Sequence, residues 1–255
     1  MPFFSYDNRR IYYEEHGKGH PVIFCHGNTS SSRMFSLLMP LYEKDLHCIL
    51  IDFLGCGRSD RTALFPSDIW VDEARQVVCL VQHLELDEVS LIGTSGGAWV
   101  VMNAAMMMKG RVSSIIADSF DGRTLNSSFS SNLTKERESA MKDEDARGFY
   151  EWCLGPDWQD IVQKDTKALI ECADRGDSLF VSPPSALDCP VLLTGSVEDL
   201  MCRSDMKEEY GEMKKMMGKA SIHMFPHGGH PSTLSNAEEF SVIARDFIME
   251  NVRLN

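Results

Sequence analysis

Residues Val89 to Val101 constrain this chain more than any other stretch. Val89-Ser90-Leu91-Ile92 is a short apolar run of the kind that forms a buried strand. Gly93-x-Ser95-x-Gly97 follows it, and an apolar, alanine-rich segment that reads as a helix comes next. A chain that turns sharply from strand to helix strains its backbone at the turn. Side chains at the flanking positions would collide, so glycine sits on both sides. The helix beyond aims its unpaired N–H groups, and its positive dipole end, at any oxygen that turns negative beside Ser95. In that context the motif reads as a nucleophile elbow with Ser95 as the attacking group.

The elements around it set the fold class. Residues 3–15 alternate loosely and predict a strand pair at the sheet edge, turning near Asp7-Asn8. Further strands are predicted at Pro21–Cys25, His47–Asp52, Val112–Asp118, Cys189–Gly195 and Ala220–Phe225. Helical spacing covers Met34–Tyr42, the stripe from Trp70 to Leu84, and Asp205–Met217. A last helix is expected to open with the capping box Ser235-x-x-Glu238. Strands alternating with helices predict an α/β fold, a mostly parallel sheet with helices on both faces. Ligands of such sheets bind beyond the carboxyl ends of the strands. His26, Asp52, Ser95 and Asp118 all fall at or just past those ends.

Residues 121–183 break the rhythm with polar, helix-prone segments, Leu133–Leu154 and Gln159–Asp174, and a linker ending at Ser182-Pro183-Pro184. This predicts a helical cap inserted into one discontinuous core domain made of residues 1–120 and 184–255. Its aromatics Phe149, Trp152, Trp158 and Phe180 are candidates for an apolar substrate pocket, or for gluing the cap helices together. The charged run Glu136 to Asp145 reads as a solvated helix face.

Composition excludes several classes. With 43% hydrophobic and 25% charged residues the chain is globular, and a net charge of −13 argues against nucleic acid and anionic membranes as partners. The Met1–Asp7 start lacks a signal-peptide pattern, so a cytoplasmic protein with reduced cysteines is expected. There are eight cysteines but no Cys-x-x-Cys, and neither a metal site nor a cofactor is predicted. Met102 and Met106 to Met108 read as core filling. Gly55-x-Gly57 follows a strand, but Asp60 occupies the third glycine position of a dinucleotide fingerprint, so a tight strand-end turn is the better reading.

A serine nucleophile needs a neutral imidazole to take its proton, and the imidazole needs a carboxylate on its far nitrogen. An acid and a histidine follow in the order Ser95, Asp199, His230. The matches at His26-Gly27, Asp52-x-x-Gly55-x-Gly57-x-Ser59, the elbow, Gly195-x-x-x-Asp199 and Gly229-His230 together resemble a serine hydrolase of the α/β-hydrolase fold with a helical cap. The resemblance covers residue 22 to the C-terminus. It implies His230 as the base, with His227 as the competitor on the rim, and Asp199 as the acid, with Asp118 as the alternative and Glu198 pointing elsewhere. It implies an oxyanion hole from the backbone N–H groups of Asn28 and Gly96, Thr29 being a near alternative, and gives His26 a role in bonding loop backbone. Asn28 after His26-Gly27 resembles the haloalkane dehalogenase loop, but those enzymes attack with an aspartate, and so do the epoxide hydrolases of this fold.

Three readings of function follow. The first is hydrolysis of a small-molecule carboxylic ester or thioester. The second is serine-dependent cleavage of an amide, lactone, N-terminal proline peptide or carbon–carbon bond. Diketone cleavers usually carry a different residue after the serine, and proline peptidases a tryptophan in the elbow. The third is a ligand-binding protein on a hydrolase scaffold with a silent triad.

Overall fold

A computed structural model describes residues 2–176 and 178–252. The edge hairpin is β1 (Phe3–Tyr6) and β2 (Arg9–His16), joined where Asp7 and Asn8 both take positive φ, the tight turn that matches strand twist. β3 (His20–Cys25) leads to a short helix, α1 (Arg33–Ser36). The helix expected over Met34–Tyr42 stops there and resumes only as a 3-10 turn at Met39–Leu41, because Pro40 has no N–H to continue an α-helical ladder. β4 (Leu46–Asp52), α2 (Ile69–His83), β5 (Val89–Thr94), α3 (Gly96–Met107) and β6 (Val112–Asp118) follow.

Three helices then occupy the chain before the next strand: α4 (Phe129–Ala140), α5 (Glu144–Leu154) and α6 (Trp158–Arg175). The single segment predicted over Leu133–Leu154 is thus two helices. Asp143 has extended backbone and its carboxylate accepts from the Ala146 N–H at 2.8 Å, a helix N-cap that starts α5 afresh. β7 (Val191–Ser196), α7 (Met206–Met216), β8 (Ala220–Phe225), α8 (Ser232–Ser235) and α9 (Ala237–Asn251) complete the chain. The capping box fails: Ser235 ends α8, and its hydroxyl donates to the Gly229 and Pro231 carbonyls, while Asn236 precedes α9.

One eight-stranded sheet runs in the order β1-β2-β4-β3-β5-β6-β7-β8. The β1/β2 and β2/β4 pairs are antiparallel and the rest are parallel. The strands β5, β6 and β7 are buried at every residue, which explains their largely apolar character, and the buried Ser90 bonds Ser113 and Ser114, buried like it. α3 packs between the sheet and α2 and is buried on all sides from Gly96 to Met106, so its sequence shows no polar face. Register sets the site: Thr94 pairs with Asp118, and Asp118 with Thr194. The residues after each of these strands therefore emerge along one edge. No helix among the described residues is long and apolar enough to cross a membrane.

Candidate active site

Ser95 stands between β5 and α3 with φ 55° and ψ −123°, a conformation that L-residues rarely adopt and that persists where surrounding structure over-determines it. Its N–H is tied to the Asp118 carbonyl at 2.8 Å. The flanking glycines are steric necessities, since a Cβ on Gly93 would run into the Gly97 carbonyl. Across the site, a Cβ on Gly27 would lie 2.8 Å from the Ser95 Cβ, which is how the loop after β3 comes close to the hydroxyl. Two other non-glycine residues of positive φ, Thr29 and Ser119, sit beside Ser95 on the same cavity. Half of the described non-glycine residues of positive φ thus line this one cavity.

That cavity, of about 750 Å³, is bounded by Gly27, Asn28, Ser95, Gly96 and His230 on the core side and by α4 and α5 on the other. His230 Nδ1 lies 2.8 Å from Asp199 Oδ2. The ring thereby donates Nδ1–H to the carboxylate and keeps Nε2 as the nitrogen able to accept a proton. Asp199 Oδ1 accepts the backbone N–H groups of Met201 and Cys202 at 2.9 and 3.2 Å. Burial pushes the Asp199 carboxyl up, but the His230 bond, the imidazole charge and those N–H groups outweigh it and hold it below the usual carboxylate range. Ser95 makes no side-chain hydrogen bond to His230 among the described residues; such contacts commonly tighten only with substrate in place.

The competitors expected from sequence lie elsewhere. His227 is exposed on the rim, where it meets Glu198, and Glu198 also accepts the Gly228 N–H. His26 is buried; Nδ1 donates to the Gly27 carbonyl at 2.8 Å and Nε2 accepts the Phe53 N–H at 3.1 Å. Burial lowers its pKa, which keeps it neutral and fits the role of bonding loop backbone. Asp52 accepts the Ser32 and Arg58 N–H groups, tying the glycine-rich turn to the loop after β3.

Asp118 is no free acid. It accepts Thr94 Oγ1 and Thr194 Oγ1 at 2.8 Å, Ser119 Oγ at 3.1 Å, the Thr233 N–H at 3.0 Å, Thr233 Oγ1 at 2.5 Å, and Ser232 Oγ. Those donors come from β5, β7, the residue after β6 and the start of α8, which follows His230. The carboxylate therefore clamps together the segments that carry Ser95, Asp199 and His230.

Asn28 is held at both ends of its side chain. Its Oδ1 accepts Trp70 Nε1 at 2.9 Å and its Nδ2 donates to Asp165 of α6 at 2.8 Å. Arg137 of α4 donates to the same Asp165 at 3.3 Å and to the Tyr150 hydroxyl at 2.7 Å. The solvated face expected around Glu136 is therefore wrong for Arg137, whose side chain is only 12% exposed. The inserted helices reach the loop beside Ser95 through this chain of bonds.

Of the four aromatic pocket candidates only Phe149 borders the cavity. Trp158 is buried and stacks on Tyr150, fastening α5 to α6. Phe180 is buried next to Leu179 and Val181, whose backbone groups bond Asn103 of α3. Trp152 is 40% exposed, and Arg33 grips its carbonyl. The apolar wall is instead made by Trp70, Trp99, Phe120, Phe129 and Tyr150. Trp70 and Trp99 stack at 4.2 Å, a pairing of α2 with α3 that spacing along the chain does not reveal.

Sequence reading also missed Cys202, which borders the cavity with its Sγ 3.7 Å from His230 Nδ1. Burial and the nearby Asp199 raise its thiol pKa well above the ordinary range, so it is a neutral thiol and not a rival nucleophile. Asp199, Cys202 and His230 form the group among the described residues with metal-ligand spacing.

The sheet order and the helices around it are those of the α/β-hydrolase fold. A family model described as the alpha/beta hydrolase family matches residues 22–242, and the chain belongs to that family. A proline iminopeptidase of Heyndrickxia coagulans is 38% identical over 110 residues, 42% of this chain and 37% of that protein. Haloalkane dehalogenase 2 of Mycobacterium tuberculosis is 30% identical over 114 residues, 45% of this chain and 40% of that enzyme. The chain thus matches well under half the length of these curated relatives. A meta-cleavage product hydrolase of Pseudomonas fluorescens superposes with a TM-score of 0.74 at 20% identity, over 95% of both chains. An esterase of Exiguobacterium antarcticum superposes with a TM-score of 0.73 at 22% identity, over 95% of this chain and 97% of that one. At such identities these two structures speak for the fold alone.

Proposed function

We propose that this chain is a serine hydrolase that cleaves a small-molecule carboxylic ester or thioester through an acyl-enzyme on Ser95. The observation that carries the reading is the 2.8 Å bond from His230 Nδ1 to Asp199, formed on the cavity that also holds the strained Ser95. In this reading Nε2 of His230 takes the Ser95 proton as Oγ attacks the carbonyl carbon, and Asp199 steadies the imidazolium. The oxyanion settles against the N–H groups of Gly96, at the start of α3, and of Asn28. His230 then protonates the leaving alcohol or thiol, and water repeats the sequence to free the acid. The inserted helices act as a cap, and a cavity of about 750 Å³ suits a small molecule.

A fluorophosphonate probe is expected to label the wild-type protein at neutral pH, and Ser95→Ala is expected to abolish labelling. A p-nitrophenyl ester of short chain should give a burst of nitrophenol equal to the enzyme present. A wild-type protein that neither labels nor bursts is a binding protein on this scaffold.

A further inference from the structure

Cys202 takes no part in that chemistry, yet it sits against the acid and the base. Its Sγ lies 3.7 Å from His230 Nδ1, and the same Nδ1 lies 2.8 Å from Asp199 Oδ2. One ligand atom from each of the three residues falls within 4.8 Å of the other two. The turn that presents Asp199 also fixes Cys202, because the Cys202 N–H bonds Asp199 Oδ1.

These separations can be set against those that an ion would require. A tetrahedral zinc with Zn–S of about 2.3 Å and Zn–N and Zn–O of about 2.0–2.2 Å holds sulfur about 3.5 Å, and oxygen about 3.4 Å, from nitrogen. The sulfur–nitrogen gap already matches to a few tenths of an ångström. The nitrogen–oxygen gap, drawn in by its shared proton, has to open by about 0.6 Å. Cys202 and His230 border the open cavity, so an ion enters without unfolding and water completes its shell.

We propose that Asp199, Cys202 and His230 form a site for a soft divalent cation of the zinc or cadmium type, and that filling it switches the hydrolase off. The inhibition rests on the serine-hydrolase reading above, whereas the site rests on geometry alone. Binding releases the thiol proton to solvent and forms a sulfur–metal bond. The imidazole binds through Nδ1, and its proton moves by exchange with water to Nε2. That nitrogen then carries a hydrogen and has no lone pair for the Ser95 proton, while Asp199 is drawn off Nδ1 onto the metal. The triad is disarmed by shifts of well under an ångström.

Cadmium titrated into the intact protein tests this. One equivalent is expected to produce a thiolate-to-cadmium charge-transfer absorption, with ester hydrolysis falling in parallel, and EDTA should abolish the absorption and restore hydrolysis. Cys202→Ser should lose the absorption and, measured against its own metal-free rate, need at least about 10-fold more cadmium for half inhibition. Cys79→Ser, at the other partly exposed cysteine, should behave as the wild type. Absorption and inhibition unchanged in Cys202→Ser overturn the proposal. If that variant does not fold, wild-type protein answers: bound cadmium must shield Cys202 from iodoacetamide, and alkylation at an undiminished rate overturns the site. A Cys202-dependent absorption in a protein that hydrolyses nothing leaves the site standing and brings down the serine-hydrolase reading instead.

Discussion

Two buried aspartates flank the candidate site and are held in different ways. Asp118, in the sheet, receives hydroxyl and N–H donors from Thr94, Ser119, Thr194, Ser232 and Thr233, all of them uncharged and all anchored to strand ends or short turns. Asp165, on α6, is held by the tips of two longer side chains, Asn28 and Arg137. Burial raises the pKa of Asp165 despite the guanidinium beside it. The part of the site around Asp118 is thus organised by donors of the sheet, of the residue after β6 and of α8, none of which comes from α4, α5 or α6. The half that borders the insertion depends on a few side-chain bonds that local movement can break. The contrast is one of many short donors around Asp118 against two side-chain tips at Asp165.

The contrast is sharpest when the acids are neutralised one at a time. Asp199→Asn should lower kcat on the order of 10⁴-fold with the fold intact, because the imidazole loses the group that fixes its tautomer. Burst kinetics on the purified variant would read this. Asp118→Asn should act first on stability, leaving buried donors without a full acceptor at a cost of about 1–3 kcal/mol in urea unfolding. Its loss of kcat should be far smaller than that of Asp199→Asn. The reverse ranking would make Asp118 the acid and break the comparison. Asp165→Ala should cost between about 10- and 10²-fold in kcat by loosening Asn28, with Asp165→Asn recovering most of it through the retained carbonyl acceptor. A fall in stability alone, with kcat unchanged, would show that the insertion does not reach the reacting groups.

The smallest effect concerns His26, on the core side. Its folded pKa lies below the unfolded value of about 6.5, so below that pH the unfolded chain binds a proton that the native state refuses. Stability should therefore be complete above pH ~6.5 and decline as pH drops toward the folded pKa. His26→Gln should flatten that decline in urea titrations at successive pH values. An equally steep slope in the variant would assign the effect to another group.

Much of this was legible along the chain. The strand, glycine-flanked serine and helix of residues 89–101 appear as read, and so do the alternation of strands and helices and the hairpin at Asp7-Asn8. Local steric rules govern such features, and local rules are written in local sequence. The failures share one cause. Pro40 interrupts a helix that residue spacing alone continues, Asp143 one that helix-prone composition continues, and Ser235 spends its hydroxyl on Gly229 and Pro231 instead of capping α9. Trp152, Trp158 and Phe180 look like pocket residues by type, but type does not say which way an aromatic faces once three helices pack.

By itself the sequence settled the class of fold, the place of Ser95 and the chain order of Ser95, Asp199 and His230, since each follows from backbone geometry within a few residues. Only the tertiary structure decided that Asp118 is a clamp, that Asp165 reaches Asn28 across 137 positions, and that Cys202 rests against His230. Those contacts depend on strand register and on how helices lie over a sheet edge, and side chains far apart in sequence meet only when packing closes the distance.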